Sequence, residues 1–139
     1  MRISGIHHQS VVVTDLERSR VFYRDVLGLT EVPTPPTFYS TVGTVVWFQV
    51  GDEQIHLLPG RRADPPTPRH VALHVEDART ARRELQERGL PVEETTEIPG
   101  ADRFFTADPD GNRIEIIQWS VPWPETMRRL GLTLGGGAN

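Results

Sequence analysis

The chain has 139 residues, a formal net charge of −4 and no cysteine. That length suits one domain with its own core. The absence of thiols excludes disulfides, thiolate nucleophiles and Cys-ligated zinc, and it fits a reducing compartment. Arginines scattered among acids leave no electrostatic footprint for nucleic acid. The start MRISGIHH has no apolar leader core, and no run approaches the ~18 apolar residues of a membrane span. The sequence therefore predicts a cytoplasmic protein with neither membrane nor nucleic-acid partners.

In chain order, residues 6–29 (IHHQSVVVTDLERSRVFYRDVLGL) read as an alternating strand opening at His8, a turn at Thr14-Asp15 and an amphipathic helix stopped by Gly28. Thr14 with Glu17 forms a capping box, and Leu16, Tyr23, Val26 and Leu27 share one helix face with Phe22 beside them. A proline-broken connection then rejoins a strand at Phe38 to Ser40. Residues 42–50 (VGTVVWFQV) are rich in β-branched and aromatic side chains, Gly51-Asp52 is a hairpin turn, and QIHLL at 54–58 is the returning strand.

The proline-rich stretch 59–69 is a connector. Residues 69–90 (RHVALHVEDARTARRELQERGL) repeat strand, turn at Asp77, helix and a glycine stop at Gly89. Arg79, Arg82, Arg83 and Arg88 alternate with Glu84 and Glu87, the pattern of an ion-paired solvated face. Strands follow near Pro91 to Thr95 and over 103–107, then a tight turn at Asp108-Pro109-Asp110-Gly111 and a last strand, RIEIIQW. The tail from Pro122 holds one or two helical turns, and Gly135 to Ala138 fray. The division is a first module at about 1–60, a linker at 61–68, a second module at about 69–120 and a tail at 121–139.

Strand, helix and three strands thus occur twice, and the copies carry metal-ligand residue types in register. His8 and His70 open the first strands, 62 residues apart, and His56 and Glu115 lie on the last strands, 59 apart. Alternation puts Val71, Leu73 and Val75 under the helix, and His70, Ala72 and His74 on the other face. Ile55 and Leu57 back His56 in the same way, and Ile114 and Ile116 back Glu115. Any one of these histidines alone reads as an ordinary polar residue on a half-exposed strand; four groups at matched positions read as a metal site. Three imidazoles and a carboxylate suit Zn, Ni, Co, Mn or Fe(II) and leave a divalent ion a residual charge near +1. His7 faces away from His8. His74 stands about 13 Å along the strand from His70, too far to share an ion but near enough to touch a substrate.

The segments HxxVxVxDLxxSxxFYxxxLGL at 8–29, HVALHVED at 70–77 and DPDGNRIEI at 108–116 resemble the vicinal oxygen chelate superfamily, which includes glyoxalase I, extradiol dioxygenases, methylmalonyl-CoA epimerase, fosfomycin-resistance enzymes and bleomycin-binding proteins. The resemblance covers about residues 5–119. It implies an α+β fold of two βαβββ modules forming a U-shaped eight-stranded cleft around one divalent metal ion, with ligands on the first and last strand of each module. By position these are His8, His56, His70 and Glu115, the set that spacing selects. The resemblance also implies a homodimer acting on a small molecule.

Three functions remain open within the resemblance. In a glyoxalase-like lyase or isomerase, the metal chelates two vicinal oxygens and stabilises an enediolate, with Glu115 and His56 as the catalytic groups. In an extradiol-type dioxygenase, His8, His70 and Glu115 hold Fe(II) and His56 moves protons, although Phe105 stands where such enzymes usually carry Tyr, leaving Tyr23 or Tyr39 to substitute. In a drug- or antibiotic-binding resistance protein, Trp47, Phe48, Phe104 and Trp119 wall an aromatic ligand without turnover. His74, Trp47, Phe105 and Trp119 are the expected substrate-cleft residues.

Overall fold

The computed structural model describes residues 1–38 and 44–133. Two four-stranded sheets with helices make an α+β fold of two βαβββ modules. The first contains β1 (His8–Val13), α1 (Leu16–Val21), β2 (Thr30–Val32), β3 (Val46–Val50) and β4 (Glu53–Pro59). Its sheet order is β1-β4-β3-β2, with β1 parallel to β4 and the remaining pairs antiparallel. The second contains β5 (His70–His74), α2 (Ala78–Glu87), β6 (Glu93–Glu94), β7 (Ala101–Ala107) and β8 (Arg113–Trp119), ordered β5-β8-β7-β6, and is followed by α3 (Trp123–Arg129). Among the described residues no helix is long and apolar enough to cross a membrane.

The chain forms two compact units, whose division falls slightly off the sequence repeat. One comprises Met1–Val71 with Ala107–Arg113, and the other Ala72–Thr106 with the chain from Ile114. The DPDGN turn between β7 and β8 therefore belongs to the first unit, and the contacts explain why. Asp108, 5% exposed, accepts from Tyr23 Oη–H (3.0 Å), from the backbone N–H of Asp110 and Asn112 (each 2.9 Å) and from Asn112 Nδ2 (2.8 Å). Asn112 Nδ2 also donates to Val12 O (3.0 Å), and Asp110 accepts from the Thr14 backbone N–H (3.0 Å) and hydroxyl. Burial beside Asp108 pushes the Tyr23 phenol far above its ordinary range, so it stays a donor.

These bonds correct the capping box. Thr14 is committed to Asp110, and Asp15 caps α1 by accepting from Arg18 N–H (3.0 Å). The first helix also does not stay α-helical: Phe22–Val26 form a π-turn, a one-residue widening that brings consecutive Phe22 and Tyr23 both into the core. Asp77 caps α2 as expected, accepting from Thr80 N–H (3.0 Å). Gly28 and Gly89 end their helices with φ of +72° and +71°, a conformation that disfavours any side chain.

Thr30–Val32 forms a strand that the sequence did not signal, pairing with Gln49–Trp47; of the strand expected at Phe38 to Ser40 only Phe38 is described, and its N–H closes a turn on Pro35 O (3.0 Å). Tyr39, Ser40 and residues 42–43 of that reading lie outside the described residues, as do Gly135 to Ala138. In the first unit Val11, Val13, Phe48, Ile55 and Leu57 form the helix-covered face of the sheet, with Phe22 and Tyr23 against it. In the second, Leu73, Leu85, Phe104, Ile114 and Ile116 are the corresponding buried set.

Candidate metal and substrate site

Sheet register decides which polar side chains meet in the first unit. His8 pairs with Gln54 and Ser10 with His56 across β1 and β4, while Trp47 pairs with His56 and Gln49 with Gln54 across β3 and β4. All six share the face opposite Val11, Ile55 and Phe48. On it the His56 ring lies between His8 (centroids 4.1 Å, 14° between planes) and Trp47 (4.1 Å, 3°), and Phe38 meets Trp47 edge-on at 5.1 Å. His8 is exposed at the sheet edge, and His56 is 5% exposed. Burial, with the nearby His8 and His7 as lesser causes, lowers the His56 pKa from 6.5 to about 4, so this imidazole is neutral at neutral pH.

His56 Nε2 lies 2.8 Å from Gln54 Oε1, Gln54 Nε2 donates to Gln49 Oε1 (3.2 Å), and Gln49 Nε2 donates to the carbonyls of Gly51 (2.7 Å) and Glu53 (3.0 Å). His7 does not face away as expected, because it precedes β1 and escapes strand alternation. Its Nδ1 lies 2.8 Å from His8 Nδ1.

In the second unit Glu115 is 6% exposed and its Oε1 accepts from Arg103 Nη1 at 3.0 Å. Arg103 is anchored in turn, donating from Nε (3.0 Å) and Nη2 (2.7 Å) to Thr96 O. This ion pair is absent from the sequence reading. His74 Nε2 accepts from the Trp119 backbone N–H (3.3 Å), and Trp119 lies 5.9 Å from Trp123. His70 opens β5 but falls in the first unit; it is exposed and bonds through Nδ1 to Pro68 O (2.8 Å). Phe105 is buried on the strand face that carries Arg103, whereas Phe104 lies under the Arg82 guanidinium (4.7 Å) on the α2 side. Phe48 likewise stacks on Tyr23 at 6.0 Å. Phe48 and Phe104 are therefore core residues rather than cleft walls, because neighbours along a strand point to opposite faces. Arg82 also departs from a plain solvated face: it pairs with Glu94 and Asp102 over that ring.

Of the four proposed ligands, the structure brings His8 and His56 into contact. Among the described residues no group of three or more His, Asp or Glu side chains stands placed to hold a metal ion. The donor chemistry fits a divalent metal: His56 keeps its lone pair at neutral pH, and His8 beside it is exposed. Nearly parallel rings present nearly parallel lone pairs, so a shared ion requires the exposed His8 ring to turn.

An α+β protein of two βαβββ modules, with imidazoles and a carboxylate on the sheet faces away from the helices, is a narrow class. The chain belongs to the Glyoxalase/Bleomycin resistance protein/Dioxygenase superfamily, whose sequence profile matches residues 5–116. Among curated proteins it is similar to Glyoxylase I 4 of Arabidopsis thaliana, 28% identical over 127 residues covering 84% of this chain and 71% of that one. It is also similar to the glutathione transferase FosA of Serratia marcescens, 28% identical over 117 residues, 82% of this chain and 80% of that one. A glyoxalase family protein from Bacillus anthracis has a like structure, with a TM-score of 0.77 and 30% identity over 86% of this chain and 98% of that one.

Of the two tyrosines that the dioxygenase reading offers in place of Phe105, Tyr23 is fully buried on the helix side with its hydroxyl on Asp108. Tyr39 lies outside the described residues.

Proposed function

We propose that the chain is a divalent-metal-dependent enzyme of the glyoxalase-like kind, which chelates vicinal oxygens of a small substrate and stabilises an enediolate or similar anion. His8, His56, His70 and Glu115 are its ligands, and the set is completed when two copies associate as a closed homodimer. The observation that carries this reading is the buried, neutral His56 imidazole held against His8, since a divalent ion binds the deprotonated ring. A bound ion supplies Lewis acidity toward the substrate oxygens.

The chain's own residues do the remaining work. Glu115 takes the substrate proton as general base, and Arg103, by holding one carboxylate oxygen, fixes the direction of the other. Trp47 covers one face of His56 and keeps water from it. His74, Phe105 and Trp119 line the substrate side.

The test is metal analysis of the full chain as purified, joined to turnover of a panel of glutathione and other thiol hemithioacetals. A bound divalent ion and turnover are expected. Glu115→Gln should keep part of the metal and lose about 10²–10⁴-fold in turnover. Full activity in Glu115→Gln, or a chain that takes up no divalent ion, would overturn the reading. Light scattering should give twice the 15.7 kDa of one chain.

A further inference from the structure

Three amide and imidazole groups on the first sheet form a chain whose direction is fixed from one end. Gln49 Nε2 lies within hydrogen-bonding reach of two backbone carbonyls, Gly51 O at 2.7 Å and Glu53 O at 3.0 Å. Carbonyls only accept, so this end of the amide must be the NH₂ group and Gln49 Oε1 must face the other way. Gln49 Oε1 meets Gln54 at 3.2 Å and needs a donor there, so Gln54 turns its own NH₂ toward it. Gln54 Oε1 is then the atom 2.8 Å from His56 Nε2. Turning either amide over would set oxygen against oxygen. An oxygen acceptor at that distance requires a proton on Nε2.

We infer that the β3–β4 hairpin fixes the tautomer of His56 through Gln49 and Gln54: His56 is held as the Nε2–H form, and its lone pair, the atom that does its chemistry, is on Nδ1. Gln49 and Gln54 are positioning residues. Neither contributes the reacting atom; each acts through the ring by deciding which nitrogen can bind or accept. The register makes this possible, because Gln49 and Gln54 are direct cross-strand partners and Gln54 and His56 are two residues apart on the same face. A fixed hydrogen bond on one ring nitrogen is the means by which proteins choose the other for a metal or a proton. The use of Nδ1 toward a metal rests on the function proposed above; the tautomer itself does not.

The experiment is a two-bond ¹H–¹⁵N correlation spectrum of the metal-free, ¹⁵N-labelled full chain at neutral pH, with His56→Gln identifying the His56 signals. The Nε2–H pattern is expected, with Nδ1 at the unprotonated position. Gln54→Lys replaces the acceptor with a donor and should invert the pattern to Nδ1–H. Gln49→Met lies one residue further from the ring and leaves Gln54 in place; it should move both nitrogen signals toward averaged positions, by freeing the Gln54 amide to turn. A wild-type Nδ1–H pattern, or a Gln49→Met spectrum identical to wild type, would overturn the inference. Failure of the wild-type chain to bind any divalent ion while the Nε2–H pattern holds would sink the proposed function and leave this inference standing.

Discussion

Asp108→Ala tests the claim that the DPDGN turn is bolted to the first unit. The Asp108 carboxylate is 5% exposed and accepts four hydrogen bonds, from Tyr23 Oη, Asp110 N, Asn112 N and Asn112 Nδ2. Each hydrogen bond to a charged group is worth about 1.5–3 kcal/mol net. Their simple sum overshoots, because the turn is partly open and its two backbone donors can reach water once the side chain is gone. The Tyr23 hydroxyl cannot, since the residue is fully buried, and leaving such a donor without a partner costs about 1–3 kcal/mol.

Taken together the loss should be about 3–5 kcal/mol, among the larger effects a single substitution produces. Urea unfolding followed by circular dichroism reads it: at a slope of about 2 kcal/mol per molar, the midpoint falls by about 1.5–2.5 M. Tyr23→Phe removes one of the four bonds and should cost about 1 kcal/mol, and less than that in the Asp108→Ala background, since the two share a bond. A loss below about 1 kcal/mol for Asp108→Ala would refute the reasoning, showing that the turn's bonds are as good with water as with this carboxylate.

Gly111 sits in that turn at φ +84° with open space where a Cβ would go, so Gly111→Ala should destabilise through backbone strain alone, by about 1–2 kcal/mol in the same unfolding assay. The Asp77 pKa is lowered by its bonds to the Thr80 backbone and hydroxyl; a carboxylate with a depressed folded pKa stabilises above its unfolded value and loses that as pH falls through the folded one. Asp77→Ala should therefore lower the melting temperature at neutral pH, and the difference from wild type should shrink as pH drops below about 4. Arg103→Met removes the ion pair that Arg103 makes with the buried Glu115 carboxylate and should destabilise the chain in urea, by up to about 3–5 kcal/mol; adding Glu115→Gln should recover part of it, and no recovery would show that packing rather than charge is at stake.

Where sequence reading succeeded, the periodicity was long and the punctuation was unambiguous. The starts of β1 and β5 at His8 and His70, the helix stops at Gly28 and Gly89 and the Gly51-Asp52 hairpin all follow from alternation meeting a residue with one conformational use. It failed where a local signal had a stronger distant competitor. Thr14-x-x-Glu17 is a sound capping box in isolation, yet Asp110, 96 residues away in the chain, takes both the Thr14 hydroxyl and its backbone N–H, so the cap passes to Asp15. Thr30–Val32 is three residues long, too short for alternation to register, and becomes a strand only by pairing with β3. The π-turn at Phe22–Val26 has no sequence signal beyond two adjacent aromatics that both turn out to be buried.

The polar surroundings of the proposed ligands were legible in principle, from the same turns that were recognised. Counting outward from the Gly51-Asp52 hairpin sets Val50 against Glu53, hence Gln49 against Gln54 and Trp47 against His56, the pairs that the structure forms. Counting outward from the Asp108–Asn112 bond sets Phe105 level with Glu115 and puts Arg103 two residues on, on the same face and within reach of the carboxylate, where the ion pair is found. A search for ligand residue types passes over Gln49, Gln54 and Arg103, because none of them binds a metal. Their effect is on the proposed ligands: one amide chain sets which nitrogen of His56 carries the lone pair, and one guanidinium, itself tied to Thr96 O, holds one oxygen of the Glu115 carboxylate. Both groups act from strands already in register with His56 or Glu115, and loop carbonyls, Gly51 O and Thr96 O, hold their far ends, so two side chains of ordinary flexibility become directed donors.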